Sequence, residues 1–212
     1  MRTTKAKRDR MLAILAETYG GATTALEYSS PFELLVAVVL SAQCTDKRVN
    51  IITARLFPAY NAPEKMLALG EEGLAALIRD CGLYRAKARS LIGACALLLR
   101  EYGGEVPGNF ADLTRLPGVG RKTANVLLSQ LFSVPAIAVD THVFRVANRL
   151  GLAPGKTPEQ VEEGLMKAVP RRDWGDAHHW LIWHGRRICK ARRPDCAACP
   201  LNELCPSAAK DA

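Results

Sequence analysis

Apolar residues recur at helical spacing along almost the whole chain. Ala88, Leu91, Ile92, Cys95, Leu99 and Tyr102 follow the i, i+3, i+4, i+7 stripe, as do Phe32, Leu35, Val36, Val39 and Leu40. Leu34 and Val38 make the latter segment apolar nearly all round, which predicts a helix through the centre of a core. Further helices are predicted over about 5–19, 46–57, 63–69, 72–79, 121–132, 141–150, 158–169 and 174–186. Thr157-Pro158-Glu159-Gln160 is a helix start, with Thr as N-cap, Pro at the first helical position and Gln at the third. No stretch alternates as a strand, so the fold class is all-α. The apolar run Leu34–Leu40 is too short to span a bilayer. Met11–Leu15 follows a basic N-terminus but runs into Glu17, the pattern of an amphipathic helix and not of a secretion signal. A soluble cytoplasmic protein with reduced thiols is expected. There is no internal repeat, low-complexity tract or long linker, and composition alone sets no domain boundary.

The cysteines change this picture most. Cys189, Cys196, Cys199 and Cys205 lie in the spacing C-x6-C-x2-C-x5-C. Zinc sites usually come as two C-x2-C knuckles with a long spacer, whereas here one C-x2-C is flanked by two further cysteines. That spacing, with Cys205-Pro206 at its end, favours a 4Fe-4S cluster, with zinc as the alternative. A disulfide framework fits poorly, because the total of 7 cysteines is odd and 212 residues can bury a sizeable core without cross-links. Cys44, Cys81 and Cys95 lie in apolar surroundings and are expected to be small buried residues.

The net charge of +8, with a pI near 9.3, suits an anionic partner but also simple solubility. Its distribution is more telling. Arg186, Arg187, Lys190, Arg192 and Arg193 crowd around the first cysteine of the quartet, with Asp195 the acid nearby, making either a solvated basic loop or an anion contact.

Asn109–Leu116 reads as a short helix, Pro117-Gly118-Val119-Gly120 as a tight turn, and Arg121 onward as a second helix: a helix-hairpin-helix. Gly118 and Gly120 let backbone amides at a helix N-terminus approach an anion such as phosphate, although an ordinary αα-corner has glycines too. Arg121 and Lys122 stand in the first helical turn, where cations oppose the helix dipole and gain nothing locally. Two roles suit Lys122: a solvated phosphate contact, or an amine nucleophile whose pKa the helix N-terminus and Arg121 depress. Asp140 precedes the stripe Val143, Val146, Ala147, Leu150 and reads as its N-cap, a position that also keeps a carboxylate ionised and fixed in direction. His178, His179 and His184 lack zinc-protease spacing and are expected to be structural.

Leu116-Pro117-Gly118-Val119-Gly120-Arg121-Lys122-Thr123-Ala124, Val139-Asp140-Thr141-His142 and the cysteine quartet occur in that order. Together they resemble the helix-hairpin-helix, Gly/Pro-rich loop, Asp family of DNA glycosylases. Leu40-Ser41-Ala42-Gln43-Cys44-Thr45-Asp46 and Gly82-Leu83-Tyr84 also look like motifs of that family, and the likeness extends over most of residues 10–205. The resemblance implies a two-domain helical fold. A six-helix domain over about residues 23–133 would carry the hairpin at about 109–132, and an iron-sulfur domain would be built from residues 1–22 and 134–212, with a DNA cleft between them.

It also implies a bifunctional glycosylase and abasic-site lyase that removes oxidised pyrimidines from double-stranded DNA. Lys122 would be the Schiff-base nucleophile and Asp140 its catalytic partner; Cys189, Cys196, Cys199 and Cys205 would ligate the 4Fe-4S cluster. Gln43 and Leu83 match gap-filling and wedge positions, while Gly118, Gly120, Arg121, Lys190, Arg192 and Arg193 would contact the backbone. Monofunctional relatives generally lack lysine at the position of Lys122. The implied protein acts as a monomer, away from membranes, in the cytoplasm at the nucleoid.

Overall fold

The computed structural model describes residues 3–208, and among these residues every regular element is helical. Eleven α-helices form: α1 Lys5–Tyr19, α2 Pro31–Ser41, α3 Asp46–Tyr60, α4 Pro63–Leu67, α5 Gly70–Leu77, α6 Tyr84–Glu101, α7 Phe110–Arg115, α8 Arg121–Phe132, α9 Thr141–Arg149, α10 Pro158–Ala168 and α11 Trp174–Arg187. The all-α expectation holds, and no described helix is long and apolar enough to cross a membrane.

Ala25–Phe132 form one compact unit. At its centre is α2, where every residue from Phe32 to Leu40 is buried, as the all-round apolar pattern requires. Ser30 caps its N-terminus by accepting from the Glu33 amide at 3.2 Å, and Pro31 sits in the first turn. Around α2 pack α3, α6 and α8, while α4 and α5 pack on α6, and α7 pairs with α8. Counted with the five-residue α4, the unit holds seven helices; without it, six. Helix α3 runs to Tyr60, past the expected end, and carries Pro58 in its last turn.

Among the described residues, the second unit is drawn from residues 3–24 and 133–208. Here α11 packs against both α1 and α9, and α9 against α10. Met11, Leu15, Val143, Val146, Val161, Leu165, Ala177 and Leu181 form its core. The expected start of α10 is present: Thr157 accepts from the Gln160 amide at 3.3 Å, while the Gln160 side chain accepts from the Lys156 amide at 2.8 Å. Leu201 is buried in this core and Cys189, Cys199 and Cys205 pack against it, so the cysteine loop is anchored to the hydrophobic centre of its unit.

Candidate functional site

In the first unit the hairpin is built by its glycines. Asn109 caps α7 by accepting from the Asp112 amide at 2.9 Å, and the turn closes with Val119 N–H donating to Leu116 O at 3.0 Å. Gly118 has φ +83, and a Cβ there would lie 2.9 Å from Ser90 Cβ, so the fold itself requires glycine. Gly120 differs. A Cβ on it would meet nothing within 4 Å, so no internal packing demands a glycine and its exposed backbone is open to close approach. The first amides of α8 have no intrahelical acceptor, which suits this opening to a phosphate oxygen.

The two glycines therefore have separable tests. Gly118→Ala is expected to lower stability by about 2 kcal/mol, from the left-handed backbone and the clash with Ser90, and a thermal melt reads it. Gly120→Ala is expected to leave the melt unchanged and weaken binding to duplex DNA.

Arg121 corrects one expectation. Its guanidinium lies 5.5 Å from the centre of the Phe110 ring, on the helix that pairs with its own. A cation–π contact worth about 0.5–1 kcal/mol offsets an unfavourable dipole term of similar size, so Arg121 does gain something locally. Lys122 follows it, exposed, while Ala124, Leu127 and Leu128 carry the packing of α8.

Gln43 and Leu83, in the same unit, are both exposed non-glycine residues in the left-handed region, with φ of 51 and 60. Leu83 is 56% exposed. Left-handed backbone costs such residues about 1–2 kcal/mol, and strain of this kind gathers at functional sites. The two loops touch, since a Cβ on Gly82 would come within 3.0 Å of Gln43 O. Cys81 and Cys95 are buried as expected, and burial pushes the Cys95 thiol up to about 12. Cys44 is only half-buried, because it follows the exposed Gln43 at the end of α2.

In the second unit Asp140 is half-buried and caps α9, its Oδ1 accepting from the Val143 amide at 2.7 Å. The backbone leading to it is fixed by buried His178, whose Nδ1 lies 2.7 Å from Ala138 O. After it, His142 Nδ1 lies 3.1 Å from Arg145 Nη2. Burial holds the His142 imidazole below its usual range, so Nδ1 is free to accept from the guanidinium.

The cysteine quartet lines one pocket, bounded also by Arg149, His184 and Asn202. Among the described residues no three His, Cys, Asp or Glu side chains converge as one metal ion would need. A single zinc requires its sulfurs at roughly 3.8 Å from one another, given bonds of about 2.3 Å in a tetrahedron. Thiols spread around a shared cavity suit a cluster in which each binds its own iron, and the residues therefore fit 4Fe-4S better than the zinc alternative. Burial raises the Cys199 and Cys205 thiols, with the neighbouring cysteines adding to it, so thiolates here need the positive charge of a metal centre.

Three residues around the quartet were missed in the sequence. Fully buried His184 is pushed down to about 4 by desolvation; its Nδ1 lies 3.1 Å from the Tyr19 hydroxyl and its Nε2 3.8 Å from Cys199 Sγ. Arg145 Nε donates to Cys189 O at 3.1 Å, and Arg149 Nη1 to Lys190 O at 2.7 Å. The two arginines, four apart on α9, thus tie the helix that Asp140 caps to the loop that carries the first cysteine. Their spacing opposite the apolar stripe was the available signal. Lys190, Arg192 and Arg193 are exposed on that loop, and Arg193 holds φ 52.

Residues 36–171 match the model of the HhH-GPD superfamily of base excision DNA repair proteins. The chain belongs to this superfamily. A second match, to the iron-sulfur binding domain of endonuclease III, spans residues 189–205, from the first cysteine of the quartet to the last. Similar HhH-GPD proteins include endonuclease III of Escherichia coli K12, 55% identical over 95% of each chain. Endonuclease III of Bacillus subtilis is 50% identical over 90% of this chain and 88% of its own. Among solved structures, a trapped endonuclease III–DNA covalent intermediate superposes with a TM-score of 0.94 at 48% identity, covering 98% of both chains. A thermostable thymine-DNA glycosylase gives 0.87 at 25% identity, over 97% of this chain and 98% of that one. This HhH-GPD chain is a base excision repair DNA glycosylase, it binds DNA, and it carries a 4Fe-4S cluster.

Proposed function

We propose that the protein releases oxidised or ring-saturated pyrimidines from duplex DNA and then cuts the strand 3′ to the emptied sugar, with Lys122 as nucleophile and Asp140 as its catalytic partner. The observation that carries this reading is Lys122 itself: an exposed amine in the first turn of α8, next to the open Gly120 backbone, with no part in the packing of the helix. The Lys122 amine attacks C1′ of the deoxyribose and the damaged base leaves with the electron pair of the glycosidic bond. Asp140 stabilises the positive charge that develops on the sugar. Ring opening gives a Schiff base between Lys122 Nζ and C1′; loss of a C2′ proton then expels the 3′ phosphate, and water frees the lysine. A covalent complex of a relative 48% identical supports the covalent route.

The base must leave the stack to be reached, and Gln43 and Leu83 fill the space it vacates. Amides of Gly118 and Gly120 hold phosphate together with Arg121, Lys190, Arg192 and Arg193. The 4Fe-4S cluster, held by Cys189, Cys196, Cys199 and Cys205, supplies a cross-link that fixes the shape of the basic loop. The six-helix domain extends over about residues 23–133, with residues 1–22 and 134–212 forming the cluster domain. One site per chain makes a monomer sufficient, and DNA as substrate places the enzyme at the nucleoid.

A panel of duplexes tests the substrate. Thymine glycol is expected to be released fastest. Faster release of a pyrimidine dimer or a mismatched thymine would reassign the pocket, and release of none would overturn the reading.

A further inference from the structure

The residues that probe DNA in this reading stand on strained loops, and one buried side chain joins them. Lys87 is 5% exposed, although long charged residues rarely leave solvent without a task. Its Nζ donates to Leu40 O at 2.7 Å, to Ala42 O at 2.5 Å and to Cys81 Sγ at 3.1 Å. Three acceptors match the three N–H donors of an ammonium, leaving none spare. Leu40 and Ala42 carry the last carbonyls of α2, where the helix dipole favours a cation. The backbone of Lys87 binds the other loop, its N–H donating to Leu83 O at 3.0 Å in the first turn of α6.

Lys87 thus reaches the residue just before Gln43 through its side chain and Leu83 itself through its main chain. The turn at Gln43 is closed by Cys44 N–H donating to Ser41 O at 3.1 Å. Leu83 begins α6 with no side-chain cap, and both hold positive φ without the freedom of glycine. Backbone in that region reverts to the ordinary basin unless its surroundings over-determine it.

We infer that Lys87 is a positioning residue for base extrusion: it holds Gln43 and Leu83 in one register so that both enter the duplex together. The inference rests on the proposed gap-filling roles of those two residues. Lys87 itself touches no substrate. Its loss is expected to impair the step that needs a paired, stacked base to leave the helix more than the step that needs only an accessible abasic sugar.

The test uses the cluster-loaded protein and two substrates: a thymine glycol duplex, scored for base release, and a single-stranded abasic oligonucleotide, scored for borohydride trapping. In Lys87→Met, which keeps the length of the side chain and removes the donors, the ratio of the first rate to the second is expected to fall about tenfold or more, because sub-ångström misplacement is costly. Lys87→Arg, which keeps N–H donors, is expected to lower the ratio by about threefold. If the Met variant does not fold, as judged by thermal melting and cluster absorbance, the Arg variant decides alone. An unchanged ratio, whether from two unaffected rates or two equally reduced ones, overturns the inference. Leu83→Ala and Gln43→Ala serve as reference. If they lower the ratio and the Lys87 variants do not, the positioning role fails while the gap-filling reading stands. If they do not lower it, the gap-filling reading fails and the inference falls with it.

Discussion

Replacing Lys122 by alanine is expected to abolish the borohydride-trapped adduct with an abasic duplex and to slow base release by at least about a thousandfold, the scale of loss when a nucleophile is removed. The substitution is clean for structural reasons. Lys122 is exposed at the second position of α8, whose packing rests on Ala124, Leu127 and Leu128. Alanine is the better helix former, and removing a cation from the first turn relieves an unfavourable dipole term of about 0.3–1 kcal/mol. The variant should therefore melt no lower than the parent, and a lost adduct reports chemistry and not fold. DNA affinity should fall only modestly, since Arg121, Lys190, Arg192 and Arg193 remain. An adduct of undiminished yield would remove Lys122 as the nucleophile and leave it a phosphate contact. Trapping of the parent but not the variant, at equal occupancy of DNA, would also separate this enzyme from a monofunctional glycosylase that activates water.

The hydrophobic pattern carried most of the fold because the chain is helical throughout and each helix buries one stripe. The ends were legible where a side chain makes the cap: Thr157 and Asp140 are N-caps in the structure, each accepting the amide three residues on. The start of α6 was not legible. Its first turn holds Arg85 and Lys87, which break the apolar stripe, and its N-cap is Leu83 in a left-handed conformation with no capping side chain. Polarity concealed the burial of Lys87 for the same reason, because the acceptors that satisfy it are carbonyls of a helix end more than forty residues away. Arg121 was misread in a similar way. The ring that offsets its dipole cost is Phe110, on the other helix of the hairpin, and no local pattern announces such a contact. The quartet was legible as a metal site from spacing, which also favoured a cluster over one zinc because only a single C-x2-C is present, and in the structure the four thiols line one pocket.

Asp140→Asn is expected to slow base release by roughly a thousandfold while leaving fold and DNA binding in place. Asparagine caps a helix about as well as aspartate, so the bond from the Val143 amide to Oδ1, 2.7 Å in the parent, has an equivalent in the variant. What disappears is the charge. A carboxylate about 4 Å from a developing sugar cation, at an effective dielectric near 20, contributes about 4 kcal/mol, which is roughly a thousandfold in rate. Binding to duplex DNA should tighten slightly, since a negative charge is withdrawn from beside a polyanion. Asp140→Ala separates the two roles of the residue: it removes the charge and the cap together, so it should lose as much rate as the asparagine variant and in addition about 1 kcal/mol of stability. Wild-type turnover in the asparagine variant would reduce Asp140 to a helix cap, and the positive charge on the sugar would then need another partner. Equal melting temperatures for the asparagine variant and the parent, with base release slowed as expected, would place the contribution of Asp140 in the reaction and not in the helix it begins.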